Sequence, residues 1–207
     1  MDIIKKLKEE LEKPLPGAES HYKMSIEGRR AGFFDQEHSR GSVLILLFPE
    51  KGSLSLVLIK RAEYSGPHSN QVSFPGGKSD EGDTGPVQTA LREASEETGV
   101  NTEKINILGK LTPLYIPVSN FTVTPIVGYT GNIPKFIPDP REVKYIITVP
   151  LSRLLRENTV CISRIELPGL DIEAPGYSID GEHIWGATAM IMTEFLDIIR
   201  QTGFSPQ

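Results

Sequence analysis

Apolar residues recur at Ile3, Ile4, Leu7 and Leu11 among lysines and glutamates, a spacing of three and four that predicts an amphipathic helix over residues 2–13, stopped by Pro14 and Pro16. From there to about Arg40 little periodicity is visible. The pattern then becomes β-rich over 42–48 and 54–61, with Pro49-Glu50-Lys51-Gly52-Ser53 between the two runs as a hairpin turn. A short strand is expected over 71–74, ending at Pro75-Gly76-Gly77. A Gly/Asp-rich loop over 78–85 leads into a helix over 86–98, for which Gly99 is the natural C-cap. Strands follow over 105–114, 121–129 and 143–149, then a short helix over 151–157. Two more strands, 160–167 and 177–185, and a terminal helix over 187–201 complete the chain. This order of elements predicts an α/β sandwich.

At 207 residues with 38% hydrophobic content, the chain can bury a core and one domain is expected. We divide it into an N-terminal helix and extension packed on the domain (1–40), the domain itself (41–202) and a short tail (203–207). The net charge is −5, from 27 acidic and 22 basic residues, and no Lys/Arg run exceeds two, which argues against nucleic acid as a partner. Cys161 is the sole cysteine, so an intramolecular disulfide and a cysteine-based zinc site are excluded. The longest apolar run, 43–48, is far too short to span a membrane. A soluble cytoplasmic protein, monomeric or homodimeric, is the expectation.

The chemistry concentrates at Arg92-Glu93-Ala94-Ser95-Glu96-Glu97. With about 100° between successive helical residues, Val87, Ala90, Leu91 and Ala94 form one apolar stripe, and Glu93, Glu96 and Glu97 gather off it. Glu93 and Glu97, four residues apart, repel by a few tenths of a kcal/mol (about 0.2–0.5) in an isolated helix. A bound divalent cation reverses that sign, since carboxylate oxygens are the hard ligands Mg²⁺ and Mn²⁺ prefer. An exposed acidic face is the ordinary meaning of such a triplet, but the loop before it changes the odds. Gly76 and Gly77 permit a tight turn and close backbone approach to metal or phosphate. Arg92 can hold a carboxylate in one orientation by charge-assisted hydrogen bonds.

From Gly77 to Val100 the sequence resembles the Nudix box, G-x5-E-x7-R-E-U-x-E-E-x-G-U with U aliphatic. The register holds from Arg92 to Val100. In the front half Asp83 stands where the box has Glu, and eight residues rather than seven separate it from Arg92. That variant is similar to the coenzyme A pyrophosphatase branch, whose loop reads F-P-G-G-K-x-D-x-x-D; here it is Phe74-Pro75-Gly76-Gly77-Lys78-Ser79-Asp80-Glu81-Gly82-Asp83. The upstream segments 58–62 and 68–74 and the downstream segments 123–127, 142–143, 149–151 and 184–188 also resemble the branch. Gly66 and Asn70 occupy positions where its signature usually has arginine and glycine.

The resemblance implies a Nudix-type α/β/α sandwich with a mixed sheet, the acidic helix following the Gly-Gly loop. It implies Mg²⁺ (or Mn²⁺) held chiefly by Glu93 and Glu97, with Glu96 and the Gly77 carbonyl as additions and Arg92 as a catalytic-site residue. For the proton acceptor Glu93 comes first and Glu142, on a later loop, second. The expected substrate is coenzyme A or a thioester of it, cleaved to 3′,5′-ADP and 4′-phosphopantetheine. Arg61, Lys78, Lys60 and Arg141 are candidates for its phosphates, and His68 for a further substrate contact. Two alternatives are hydrolysis of another nucleoside diphosphate derivative (ADP-ribose, NADH or a dinucleotide) and a non-catalytic nucleotide-binding module. A P-loop is excluded, because its earlier glycine would fall at Val72, and G-x-S-x-G is absent.

Overall fold

A computed structural model describes residues 2–26, 38–64, 66, 68–167 and 170–204. Strands β1 (Ser39–Glu50) and β2 (Ser53–Arg61) form a hairpin. Its turn is only Lys51-Gly52, both with positive φ (49° and 79°), the conformation a two-residue hairpin loop demands. The strands therefore extend into the five-residue turn expected from sequence, pairing Glu50 with Ser53.

The main sheet has eight strands, with β3 (Val72–Ser73), β2, β1, β7 (Phe121–Tyr129) and β5 (Asn106–Lys110) in that order. β1 runs parallel to β7 from Ser39 to Leu47 and antiparallel to its other neighbours, so the sheet is mixed. Along its other edge β1 changes partner: Gly41 to Val43 face β4 (Gly76–Lys78), whereas Leu47 to Glu50 face β2. β2 in turn pairs with β8 (Val143–Pro150), and β6 (Leu114–Ile116) extends the edge of β7. Where the segment 105–114 was expected to be one strand, it breaks at residues 111–113. Pro113 has no N–H to offer a ladder, and the Leu111 and Thr112 N–H groups go to the Pro125 carbonyl and to Glu194.

Successive side chains of β1 enter two cores, as expected of a strand covered on both faces. Leu44, Leu46 and Phe48 meet α3 (Pro86–Thr98) with Ala90 and Ala94. Ile45 and Leu47 enter a larger core with α5 (Gly186–Gln201) and the N-terminal helix α1 (Asp2–Leu11). This is the α/β/α layering that the sequence predicts. A short helix not foreseen, α2 (Ala18–Tyr22), packs on α5, and Leu7, Leu11 and Met24 are buried in the larger core. Glu194 of α5 is fully buried. It accepts hydrogen bonds from Gly17 N (3.1 Å) and Thr112 Oγ1 (2.6 Å), and its other oxygen meets His21 Nε2 at 2.9 Å. Ser20 and Lys23 both donate to Asp197, one turn further along α5. The N-terminal segment is thus integral to the core.

A second sheet of three strands, β9 (Val160–Leu167), β10 (Leu170–Ile179) and β11 (Glu182–Trp185), follows α4 (Leu151–Leu154) and a 3-10 turn at Glu157–Thr159. The expected single strand 177–185 is a hairpin, turned at Asp180-Gly181 with φ of 49° and 83°. Lys60 Nζ donates to Glu182 at 2.7 Å and Tyr145 Oη also donates to Glu182, tying this sheet to the main one. Of the expected tail, residues 205–207 lie outside the described residues. No described helix is long and apolar enough to cross a membrane.

Candidate active site

α3 starts with Pro86 at its first turn and ends on Gly99, in the left-handed conformation with φ 67°. Its last carbonyls are capped by another loop: Ile137 N donates to Thr98 O at 2.7 Å and Asp139 N to Glu97 O at 3.1 Å. Ala90 and Ala94 lie on its buried face, and being small they let the helix come close to β1 and β4. The expected stripe holds at Ala90, Leu91 and Ala94 but not at its first residue, and the buried face extends to polar positions. Val87 is exposed, while Thr89, Glu97 and Thr98 are buried with the alanines. Glu97 is tolerated there because the sheet supplies partners: Gly76 N donates to one carboxylate oxygen at 2.8 Å and Arg61 Nη1 to the other at 3.2 Å.

Arg92 uses all five of its N–H groups. Nε and Nη2 form a fork on Asp83 (3.1 and 2.9 Å), Nη2 also donates to the Lys78 carbonyl (2.9 Å), and Nη1 donates to Glu93 (3.0 Å) and Glu96 (3.1 Å). Asp83, the residue that departs from the box, is therefore the anchor of this arginine, and the fork holds its carboxyl well below the usual carboxylate range, helped by Asp80 N. Arg92 in turn fixes the rotamers of Glu93 and Glu96. Glu93 packs against Gly77 so closely that a Cβ there would lie 2.3 Å from Glu93 Oε2. The Gly77 carbonyl oxygen itself faces β1, where a Cβ on Gly41 would come within 2.1 Å of it.

Burial raises the Glu93 carboxyl, with Arg92 opposing. It pushes Glu97 up to about 7, against the Gly76 N–H and Arg61, with the charges of Glu93 and Glu142 adding to the rise. Burial also works to lower the Arg61 guanidinium, but Glu97, Tyr64 and Glu142 outweigh it and raise it. Four carboxylates, those of Asp83, Glu93, Glu96 and Glu97, thus face two guanidinium groups, and the exposed Glu142 lies near enough to be felt. Among the described residues no three acidic, histidine or cysteine side chains converge to hold a metal ion as they stand, because Glu97 is turned to Arg61 and Gly76, and Glu93 and Glu96 to Arg92. The donor set nevertheless suits a divalent cation: hard oxygens, an excess of negative charge, and a side-chain-free cradle at Gly77 beside Glu93 Oε2, which carries no hydrogen bond among the described residues.

A cavity of about 240 Å³ opens beside Gly76 and Gly77, walled by Val43, Phe74, Phe121 and Trp185. Arg61 and His68 line it, the latter with Nδ1 3.2 Å from Gln71. Lys78 is exposed at the end of β4, in register with Gly41. Lys60 is engaged with Glu182, Arg141 is exposed and forked onto Asp139, and neither lines the cavity. Sequence reasoning did not single out Ser73, whose buried hydroxyl has no partner and sits in this wall, nor Trp185 as a cavity residue. Ser73 falls within the segment 68–74 that resembles the branch, the one local signal that could have pointed to it.

Residues 38–159 match the NUDIX domain family model. The chain belongs to the Nudix family. Among its Nudix relatives, the "Uncharacterized Nudix hydrolase NudL" of Yersinia pestis (strain Pestoides F) is 36% identical over 163 residues, which cover 77% of this chain and 79% of that one. The protein of the same name from Yersinia pseudotuberculosis serotype O:1b (strain IP 31758) has the same figures. The Nudix fold is shared with a MutT/nudix family protein from Enterococcus faecalis, with TM-score 0.56 and 19% identity, over 84% of this chain and 66% of that one. It is shared also with the MutT protein from Methanosarcina mazei Go1, with TM-score 0.51 and 17% identity, over 84% of this chain and all of the other. The matched Nudix residues stop at Thr159, so α1, α2, the three-stranded sheet and α5 lie outside them.

Proposed function

We propose that this Nudix protein hydrolyses the pyrophosphate bond of coenzyme A or its thioesters, giving 3′,5′-ADP and the (acyl-)4′-phosphopantetheine, in a reaction that requires Mg²⁺ or Mn²⁺. One observation carries the reading: on the helix that faces Gly76 and Gly77, Glu93 and Glu96 are held by a fully committed Arg92 and Glu97 by Arg61 and the Gly76 N–H, beside the cavity that Arg61, Gly76 and Gly77 line. Glu93, Glu96 and Glu97 would hold the divalent ion, which neutralises the diphosphate and acidifies water when bound. Arg92 keeps Glu93 and Glu96 in place, and Asp83 keeps Arg92 in place. The carboxylate oxygens of Glu93, and second those of Glu142, are the candidates to accept the proton of the attacking water. The cavity walls exclude bulk water from the bound arm of the substrate. The single cysteine and absence of a spanning helix among the described residues fit a cytoplasmic setting.

A second reading, ADP-ribose, NADH or a dinucleotide as substrate, is favoured by the cation inventory. Of the four cations expected to meet a 3′-phosphate, Lys60, Arg61 and Arg141 are held in ion pairs, and only Lys78 has none among the described residues. Mass spectrometry of the products from coenzyme A, ADP-ribose and NADH with Mg²⁺ or Mn²⁺ decides between the two. We expect 3′,5′-ADP from coenzyme A, and no turnover from a folded Glu97→Gln variant. Tight binding of coenzyme A without product would instead favour a binding module.

A further inference from the structure

A second cavity, of about 70 Å³, lies beyond the first, and Ile116 and Ala187 belong to the walls of both. Met24, Ser25 and Ile26 from the N-terminal segment and Met190 of α5 line it, and among the described residues no charged side chain does. Among the described residues the first cavity is nearly as neutral: Arg61, its one Lys or Arg, is engaged with Glu97, and no acidic residue lines it. Yet it holds two buried donors without partners, Ser73 Oγ and Arg61 Nε. A buried donor left unmade costs stability, and a ligand that brings acceptors into the cavity recovers it. Moving outward from Gly77, the wall therefore offers two unpaired donors and then an apolar chamber ending in two thioethers. Methionine is unbranched and polarizable, and repacks readily around alkyl chains.

We propose that this run of two cavities takes the long, uncharged arm of the substrate, with its carbonyl groups in the first cavity and its terminal alkyl portion in the second. The N-terminal extension is then the end wall of the substrate site. The inference rests on the thioester reading given above and deepens it, by making the end of the arm a determinant of selectivity. The wall is well anchored for that purpose. His21 is bonded to Glu194, and Ser20 and Lys23 to Asp197, on the same helix that carries Met190.

The test is kcat/KM of the whole protein with Mg²⁺ for the acetyl, butanoyl, hexanoyl and octanoyl thioesters of coenzyme A, with ADP-ribose and NADH alongside. Burial of each added methylene should raise kcat/KM about fourfold until the second cavity is full, after which the series levels off. Met190→Trp, which fills the chamber, should bring the ratio of hexanoyl to acetyl close to one; the wild-type series stands by itself if that variant does not fold. A wild-type series that is flat with chain length overturns the inference and leaves the hydrolase reading in place. Cleavage of ADP-ribose and NADH, with none of any thioester, overturns the inference together with coenzyme A as substrate. Cleavage of none of these compounds overturns the hydrolase reading and this inference with it.

Discussion

Replacing Glu97 by Gln should remove a loss of stability that the metal-free protein otherwise suffers as the pH rises. The Glu97 carboxyl is buried, and its surroundings move it from an ordinary 4.5 to about 7. At about 1.4 kcal/mol for each tenfold change in proton affinity, the ionised folded state is about 3 kcal/mol less stable against unfolding than the protonated one. Because the folded value lies above the unfolded one, the favourable condition is low pH. The contribution of Glu97 is intact below about 4.5, declines as the pH rises, and is lost above about 7. Glutamine keeps an acceptor for Gly76 N and carries no charge to desolvate. The attraction of Arg61 needs no separate allowance, because it is present only while Glu97 is ionised and is already among the causes that set the value near 7. Urea unfolding of both proteins at pH 5, 6, 7 and 8 with a chelator present gives the difference curve. We expect it to move by about 2.5 kcal/mol in favour of the variant between pH 5 and pH 8, since part of the loss has already occurred at pH 5. Added Mg²⁺ at pH 8 should recover the loss in the wild type and do less for the variant. A difference curve that is flat from pH 5 to pH 8 would refute the reasoning.

Three further outcomes follow from packing and hydrogen bonding. Glu194→Ala strands Gly17 N, Thr112 and His21 around an empty buried site; it should destabilise by about 3–5 kcal/mol in urea and expose the N-terminal segment to protease, and a loss under about 1 kcal/mol would contradict the account. Gly41→Ala places a methyl 2.1 Å from the Gly77 carbonyl and 2.5 Å from the Phe121 ring, whereas Gly82→Ala meets nothing within 4 Å. The first should cost about 1–3 kcal/mol and the second stay within about 0.5 kcal/mol by thermal unfolding. Arg92→Lys keeps the charge but loses the fork on Asp83; kcat should drop about 10- to 100-fold with a smaller change in KM, and equal losses in every substrate's KM alone would speak against an orienting role.

Those elements were legible in the sequence whose boundaries are set locally. α3 begins at Pro86 and stops at Gly99 because proline and glycine act on their own turn of chain, and β7 follows directly from its run of β-formers. The hairpin at Asp180-Gly181 was also written locally, since Asp-Gly favours that turn; reading 177–185 as one strand overlooked it. Other features depend on partners remote in sequence. A helical wheel places Glu97 off the apolar stripe, and only the Gly76 N–H and Arg61, brought in by β4 and β2, make its burial tolerable. The spacing identified Arg92 and the glutamates as a cluster, but that Asp83 takes the arginine's fork depends on the path of the loop between them. Met24 carries no motif, and Ser73, though inside the segment 68–74, is not distinguished there by its residue type; their places in the cavity walls come from the packing of remote elements.

The bond from Gly17 to Glu194 joins residues 177 positions apart, and that from His21 to the same carboxylate spans 173. A chain emerging from the ribosome makes its N-terminal helices first, yet they have no counterpart for these donors until nearly the whole of the rest has been synthesised. Contacts of such separation are entropically expensive to close and form late. The early segment can lay Leu11 on β5 at Gly109 before then, but it is not fastened until α5 arrives, which makes α5 the latch of assembly and the interval before it the one in which the growing polypeptide most needs shielding from aggregation.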